Sequence, residues 1–175
     1  MKFGIFGCAG LLLLFWLAPA QPVAAKDDRY IGYYYPAPAD IETYCARVPV
    51  LADMDRRKRV GFVIGVKEGA GSAPYEVPYS IFVKGGEARK LIIVAKRDGY
   101  LNSIYRVRAL LADLTNNART TPIFEESGAP EELTFLDLLT LLDFTSLTVS
   151  DGIGFTHQIE MHPAPTTECD GKLID

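Results

Sequence analysis

Two histidines, His157 and His162, offer the most obvious chemistry in this chain of 175 residues. They are its only histidines, and they lie five residues apart in the segment LTVSDGIGFTHQIEMH, which also contains a serine and two acids. Imidazole groups serve most often as general acids or bases and as metal ligands. What these two can do depends on the local structure that positions them.

The segment is typical of a β-hairpin, with the strands TSLTV and IGFTHQIEM separated by residues 150–152. A three-residue loop at this point pairs Leu147 with Phe155 and Thr145 with His157, which aligns the apolar residues of the two strands. His157 then lies on the apolar face of the hairpin. The sequence therefore predicts a histidine that points inward among apolar side chains.

His162 lies an odd number of residues from His157, so on a continuous strand the two side chains point to opposite faces. Five strand residues also separate them by about 16 Å. We therefore do not expect the two histidines to share a metal ion. Pro163 ends the strand at His162, because proline has no N–H to donate to the sheet.

Other catalytic arrangements are difficult to assemble from this sequence. A serine or cysteine nucleophile needs an oriented base, and His157 is the one candidate. The glycines of GVKEGAGSAP do not indicate a phosphate loop, because Pro74 and an extended stretch follow where a helix would be needed. We expect a surface loop there and no cofactor or metal. With 22 acidic residues, a carboxylate-dependent hydrolase remains an alternative.

The N-terminus, MKFGIFGCAGLLLLFWLAPAQPVAAKDD, has the pattern of a secretory signal peptide. A lysine precedes an apolar run that is shorter than the ~20 residues of a membrane span, and small residues follow. We predict cleavage after Ala25, with Ala20 as the alternative. The chain then divides into a signal peptide (1–25), a domain (26–162) and a polar C-terminal tail (163–175), and it is expected to be exported without a later membrane span.

Charge and cysteine content limit the classes of partner. The net charge of −4 argues against nucleic acid, whose binding depends on neutralising phosphates. Cys45 and Cys169 remain after cleavage, far apart and without metal-site spacing. They are either free thiols or, as we expect in an oxidising compartment, a disulfide that joins the tail to the start of the domain.

An aromatic segment opens the mature chain. Tyr33, Tyr34 and Tyr35 precede Pro36 and Pro38, which exclude a helix and favour an extended backbone. The tyrosines are either a binding platform for a peptide or glycan, or an edge strand that covers the core. The basic run from 56 to 59 follows two acids and is expected to form a short, solvated helical turn.

Three strands are predicted next, over residues 59–66, 79–85 and 89–99. The glycine pair at 85–86 makes a turn too short for a parallel crossover, so these strands should form an antiparallel meander. Residues 100–119 predict an amphipathic helix, and the segment LTFLDLLTLLDF predicts a second one that is capped by Thr134 and Asp137. The expected fold is a single α+β domain. Its antiparallel sheet, the three-strand meander plus the C-terminal hairpin, packs against two helices.

Three stretches of the sequence resemble a family of short exported bacterial proteins without an established activity: GYYYPAP, KLIIVAKRDGYLNSIYRVRALLADLTNNARTTPIF and FLDLLTLLDFTSLTVSDGIGFTHQIEM. Some members carry the label molybdopterin-guanine dinucleotide biosynthesis protein A. That label implies a cytosolic guanylyltransferase with a glycine-rich nucleotide loop at the start of a Rossmann-like domain. This chain starts instead with the predicted signal peptide and lacks such a loop, and the resemblance supplies no catalytic residues.

The expected function is that of an exported accessory or binding protein of a bacterial periplasm or cell envelope, without catalytic activity. Its expected partner is an envelope protein, a peptide or a glycan. The alternative is a small enzyme, either the hydrolase or the molybdenum-cofactor guanylyltransferase that the family label implies.

Overall fold

The computed structural model describes residues 36–38, 40–71, 76–127, 131–165 and 169. The predicted signal peptide, the three tyrosines at 33–35 and most of the C-terminal tail lie outside these residues. The described elements follow one another as β1 (Asp40–Cys45), α1 (Arg56–Gly71), β2 (Tyr79–Lys84), β3 (Lys90–Ala95), α2 (Ile104–Arg119), α3 (Pro122–Ser127), α4 (Phe135–Leu141), β4 (Ser146–Ser150) and β5 (Thr156–His162).

The strands form one mixed sheet in the order β1-β5-β4-β3-β2. The pairs β2/β3 and β4/β5 are antiparallel, whereas β3/β4 and β1/β5 are parallel. The prediction of an α+β domain is confirmed, but the prediction of a wholly antiparallel sheet is wrong. Three helices connect β3 to β4, and a connection of that length allows the parallel pairing that a tight turn excludes.

The first predicted strand, residues 59–66, is also wrong, because it lies within α1. The side chains that this helix buries recur every three or four residues, as the buried face of a helix requires: Arg59, Phe62, Val63, Val66 and Ala70. The β-branched residues of the segment favoured a strand, and tertiary packing overrides that preference. The glycines at 65, 69 and 71 therefore belong to a helix and not to a surface loop. Arg59, expected in a solvated turn, is 1% exposed.

The two predicted helices are present as α2 and α4, and the described residues form two more, α1 and the short α3 between α2 and α4. The face of α2 expected to be apolar is buried at Val107, Leu110, Leu111, Leu114 and Ala118. At α4 the capping box is confirmed, since Thr134 accepts from the backbone N–H of Asp137 while the Asp137 carboxylate accepts from that of Thr134. These helices pack on the sheet face that carries the inward side chains of β3, β4 and β5.

The C-terminal hairpin has a longer loop than predicted. Leu147 pairs with Ile159 and not with Phe155, and five residues connect β4 to β5. One oxygen of the Asp151 carboxylate accepts from three backbone N–H groups of this loop, at distances of 2.8 to 2.9 Å, which stabilises the wider turn. The register is shifted by an even number of residues, so His157 still faces the core side of the sheet.

Cys45 and Cys169 form a disulfide, with their Cα atoms 5.7 Å apart. This confirms the predicted link between the start of the domain and the C-terminal tail. Among the described residues, none of the helices combines the length and the apolar character that a membrane span requires.

Candidate ligand-binding site

A groove of about 500 Å³ lies between α2 and the segment that leads into α4. One wall is a single face of α2, made of residues three or four positions apart: Arg108, Leu111, Ala112, Thr115, Asn116 and Arg119. The other wall consists of residues 132–136, and Tyr44 of β1 closes one side. Small-molecule sites in proteins commonly have volumes of about 300–1,000 Å³. The groove is therefore large enough for a small organic ligand.

The floor of the groove is apolar and its edges are polar. Leu111, Leu133 and Phe135 are buried beneath it, whereas Asn116 and Glu132 are exposed at its edges. The Thr115 hydroxyl donates to the carbonyl of Leu111 at 2.8 Å and accepts from the backbone N–H of Phe135 at 3.0 Å. This hydroxyl therefore joins the two walls.

A buried carboxylate, that of Asp137, organises the end of the groove near Tyr44. It is 0% exposed. Its Oδ2 accepts from the Arg47 guanidinium (2.7 and 3.3 Å) and from the backbone N–H and hydroxyl of Thr134 (both 3.0 Å), and its Oδ1 accepts from the backbone N–H of Arg47 (3.1 Å). Burial alone would raise the pKa of Asp137, but the hydrogen bonds from Arg47 and Thr134 outweigh it, so the pKa is lowered. Asp137 thus remains ionised and ties the chain after β1 to α4.

The Tyr44 phenol is oriented by the same network. Its oxygen lies 3.0 Å from the Thr134 hydroxyl, which itself donates to Asp137. Because an ionised carboxylate only accepts, the Thr134 proton is already used and Tyr44 must donate to Thr134. Burial of the ring raises the pKa of Tyr44, so this phenol remains a neutral donor at neutral pH.

A second network is centred on Glu42 of β1 and includes Arg108, which lines the groove. Nη2 of Arg108 lies 2.5 and 2.7 Å from the two carboxylate oxygens, and His157 Nε2 lies 2.8 Å from one of them. Burial alone would raise the pKa of Glu42, but the bonds from Arg108 and His157 outweigh it and lower the pKa. The network joins β1, β5 and α2.

The Arg119 guanidinium secures the far wall of the groove. It donates to the carbonyl oxygens of Glu131 and Leu133, the latter at 2.8 Å. Its Nε is buried and, within the part of the chain that the structure describes, has no hydrogen-bond partner. An unsatisfied buried N–H on a charged group costs about 1–3 kcal/mol or more. The arginine therefore holds residues 131–133 in place at some cost in stability.

The predicted site residues have different outcomes. Tyr33, Tyr34 and Tyr35 lie outside the described residues. His157 faces the core side of the sheet as predicted, but its ring bonds to the Glu42 carboxylate and does not lie among apolar side chains alone; its side chain is 13% exposed. Cys45 lies opposite His162 and not beside His157. In the described segments, no group of three or more His, Cys, Asp or Glu side chains could hold a metal ion.

Sequence reasoning missed the groove itself. One signal was present, because Arg108 and Arg119 are eleven residues apart, about three helical turns, and so lie on one face of α2. Ala112 between them is too small to fill the space beside the helix. Tyr44 and Glu42 gave no such signal, because β1 was not predicted as a strand paired with β5.

Comparison of the chain with protein-family models, with curated proteins and with solved structures finds no match. What the protein binds therefore has to be inferred from its own residues.

Proposed function

We propose that the protein is an exported binding protein of a bacterial periplasm or cell envelope, without catalytic activity of its own, and that the groove along α2 holds its ligand. The observation that carries this proposal is the groove, with its volume of about 500 Å³, its apolar floor and its fixed polar groups. A concave, mainly apolar site with a few oriented polar groups is the usual form of a small-molecule site.

The polar groups around the groove are already positioned without a ligand. Tyr44 is fixed as a donor by Thr134, and Thr115 and Arg119 hold the two walls together. A site that needs little reorganisation loses less free energy on ordering when it binds. This arrangement suits a receptor for a small molecule.

The proposed compartment is supported by the disulfide between Cys45 and Cys169. Disulfides persist mainly in oxidising environments such as the bacterial periplasm. The signal-peptide pattern at the N-terminus points in the same direction. Cell fractionation tests this part of the proposal, since the disulfide-bonded protein is expected in the envelope or periplasmic fraction and not in the cytosol.

The binding proposal is tested by filling the groove. Ala112 lines the groove on an exposed part of α2, whereas Ala109, also exposed on α2, does not line it. Ala112→Trp should therefore block the groove, and Ala109→Trp is the matched control. The probe is 8-anilinonaphthalene-1-sulfonate (ANS), which combines an apolar ring system with an anionic group.

We expect the wild-type protein and Ala109→Trp to bind ANS saturably, and Ala112→Trp to lose most of that binding while its circular dichroism spectrum stays unchanged. Native mass spectrometry of protein purified from its own envelope fraction should show a bound small molecule that Ala112→Trp lacks. Equal ANS binding by the two variants would show that the groove is not the site.

A further inference from the structure

The outer face of the sheet, which points away from the helices, is buried at its centre. From Leu91 to Ala95, β3 is continuously apolar, which is typical of a strand that is covered on both faces. Ile92 and Val94 alternate along this strand with residues of the core and therefore point to the outer face. They are nevertheless only 2% and 1% exposed. β3 is thus covered on its outer face as completely as on its core face.

The helices do not supply this cover. The large apolar side chains that α1, α2 and α4 bury belong to one core cluster. That cluster includes Leu91 and Ile93 of β3 but neither of the two outward-facing residues. Side chains on an open face of a sheet stay in contact with water, so the neighbouring strands alone do not explain such low exposure. The cover over Ile92 and Val94 therefore comes from outside the helices and strands described above.

Two rows of side chains cross the outer face, and their described residues carry no charge. The first row consists of Ile41, Gln158, Thr148, Ile92 and Phe82, and the second consists of Thr156, Ser150, Val94 and Ser80. We call them the uncharged rows. The next row beyond the first contains Glu160, Lys90 and Lys84. Because an unpaired charge is costly to bury, an apolar cover fits the uncharged rows better than the charged one.

Burial is deepest along the second of the uncharged rows. Thr156, Ser150 and Val94 are all buried there, whereas Ile41, at the β1 end of the first row, is 56% exposed. The Thr156 hydroxyl donates to the Ser150 hydroxyl, which donates to the carbonyl of Phe155, both at 2.9 Å. These buried hydroxyls are therefore already hydrogen-bonded and need no polar partner from the cover. The cover over this row can be apolar or aromatic.

The segment that precedes β1 joins the sheet beside this row. β1 begins at Asp40, which pairs with His157, the residue after Thr156 of the second row. Residues 30–35 read YIGYYY, with four tyrosines and one isoleucine. At about 3.3 Å per residue, six extended residues span about 20 Å, and the four strand spacings from β1 to β2 amount to about 19 Å. The segment therefore has the composition and the length to cross the row.

The C-terminal tail joins the outer face at a less suitable place. Cys169 is bonded to Cys45 at the other end of β1, four residues from Ile41. The charged row lies between that point and the uncharged rows. Residues 170–175, DGKLID, contain three charged side chains and two large apolar ones. The tail therefore matches the charged row better than the uncharged rows.

We propose that residues 30–35 pack across the uncharged rows and cover Ile92 and Val94 with tyrosine rings. A tyrosine ring buries a large apolar surface while its hydroxyl stays in contact with water or with a polar group. The tyrosines at 33–35 then complete the fold and do not form an exposed platform for a peptide or glycan. The groove along α2 lies on the core side of the sheet, so this inference is independent of the ligand proposed for the groove.

The test measures how closely a soluble gadolinium chelate approaches each isoleucine methyl group of the exported protein, labelled with ¹³C at these methyl groups. The chelate accelerates the relaxation of the methyl groups that it can reach. In the wild type, Ile92 should relax as slowly as Ile93 of the core. Ile64, which is exposed on α1, should relax much faster.

Two variants assign the cover to a segment. The tyrosine variant combines Tyr33→Ser, Tyr34→Ser and Tyr35→Ser, and the tail variant combines Leu173→Ser and Ile174→Ser. The tyrosine variant should raise the relaxation rate of Ile92 to that of Ile64 and leave Ile93 unchanged, whereas the tail variant should leave Ile92 protected. Tyr105→Ser is the matched control, because Tyr105 is 84% exposed, and it should also leave Ile92 protected.

If the tyrosine variant exposes Ile93 as well, the domain has unfolded. Nuclear Overhauser contacts in the wild type then replace this variant as the test, and they must join the Ile92 methyl group to a tyrosine ring of residues 30–35. The proposal is wrong if these contacts are absent, if the tail variant but not the tyrosine variant exposes Ile92, or if neither variant does. It is also wrong if Ile92 becomes protected only as the protein concentration rises, because a second copy of the chain would then be the cover.

Discussion

Replacing Asp137 by asparagine should destabilise the protein, and replacing it by alanine should do so more strongly. The Oδ2 atom of Asp137 accepts four hydrogen bonds and Oδ1 accepts one, from the backbone N–H of Arg47. An asparagine therefore fits best with its oxygen in the Oδ2 position and its amide nitrogen facing that N–H. It loses one bond and the negative charge, at a cost of about 1–3 kcal/mol. Alanine loses all of these bonds, at a cost of about 3–5 kcal/mol.

The free energy of unfolding should be measured by urea denaturation with far-UV circular dichroism. Fluorescence is less suitable, because the one tryptophan of the chain, Trp16, lies outside the described domain. Asp98→Asn is the matched control, since Asp98 is exposed on a loop, and its effect should stay within about 0.5 kcal/mol. If Asp137→Asn lowers the free energy of unfolding no more than Asp98→Asn does, the stabilising role of the Asp137 carboxylate is refuted.

The effect of Asp137→Asn should also depend on pH. The folded protein holds the pKa of Asp137 below its unfolded value of about 3.9, because the hydrogen bonds from Arg47 and Thr134 outweigh burial. Between the folded and the unfolded pKa of Asp137, the unfolded state therefore binds more protons than the folded state. The contribution of the carboxylate to stability is complete above the unfolded pKa, and it is lost as the pH falls through the folded pKa. The difference in stability between wild type and Asp137→Asn should shrink below about pH 4. A difference that stays constant down to pH 2 would contradict the lowered pKa.

Three further changes test other parts of the fold by the same denaturation assay. Asp143→Ala removes the carboxylate 3.2 Å from the buried Arg59 guanidinium and leaves it the exposed Glu87 carboxylate at 3.7 Å, so it should cost about 1–3 kcal/mol. Asp143→Ala combined with Arg59→Met should cost less than Asp143→Ala alone. Cys45→Ser opens the loop of 124 residues that ends at Cys169 and should cost about 5 kcal/mol, matched by adding a reductant to the wild type. Gly61→Ala should stabilise the protein by about 0.5–1 kcal/mol, because an added Cβ on α1 meets no atom within 4 Å.

The parts of the fold that local sequence determines were predictable. In α2 the apolar residues repeat with the period of a helix, and at α4 the pair Thr134 and Asp137 is a capping signal that needs no knowledge of the rest of the chain. α1 was misread because its valines and isoleucine favour a strand and its glycines disfavour a helix when the sequence is read locally. Its helix is stabilised by burying Phe62 and Val66 against other elements, which a local pattern does not show.

Strand order was not predictable, because it depends on contacts between distant segments. β1 pairs with β5 although Asp40 and His157 are more than a hundred residues apart, and no turn connects the two strands. The groove depends on this pairing, since Tyr44 belongs to β1. For the C-terminal hairpin, the face of the sheet on which His157 lies was predicted correctly, but the loop length was wrong. Three backbone N–H groups bond to Asp151 and favour a loop of five residues.

β1 lies at an edge of the sheet, and side-chain contacts attach it to the helices on both sides of the groove. Glu42 bonds to Arg108 of α2, and Tyr44 bonds to Thr134 at the start of α4. The disulfide of Cys45 and the contact of Arg47 with Asp137 hold the end of the strand. A ligand that contacts Tyr44 in the groove binds only the conformation in which β1 is attached to the helices. Ligand binding therefore stabilises the attachment of β1, and the attachment of β1 strengthens ligand binding. The disulfide would therefore contribute to ligand affinity without touching the ligand, because it favours the attached state.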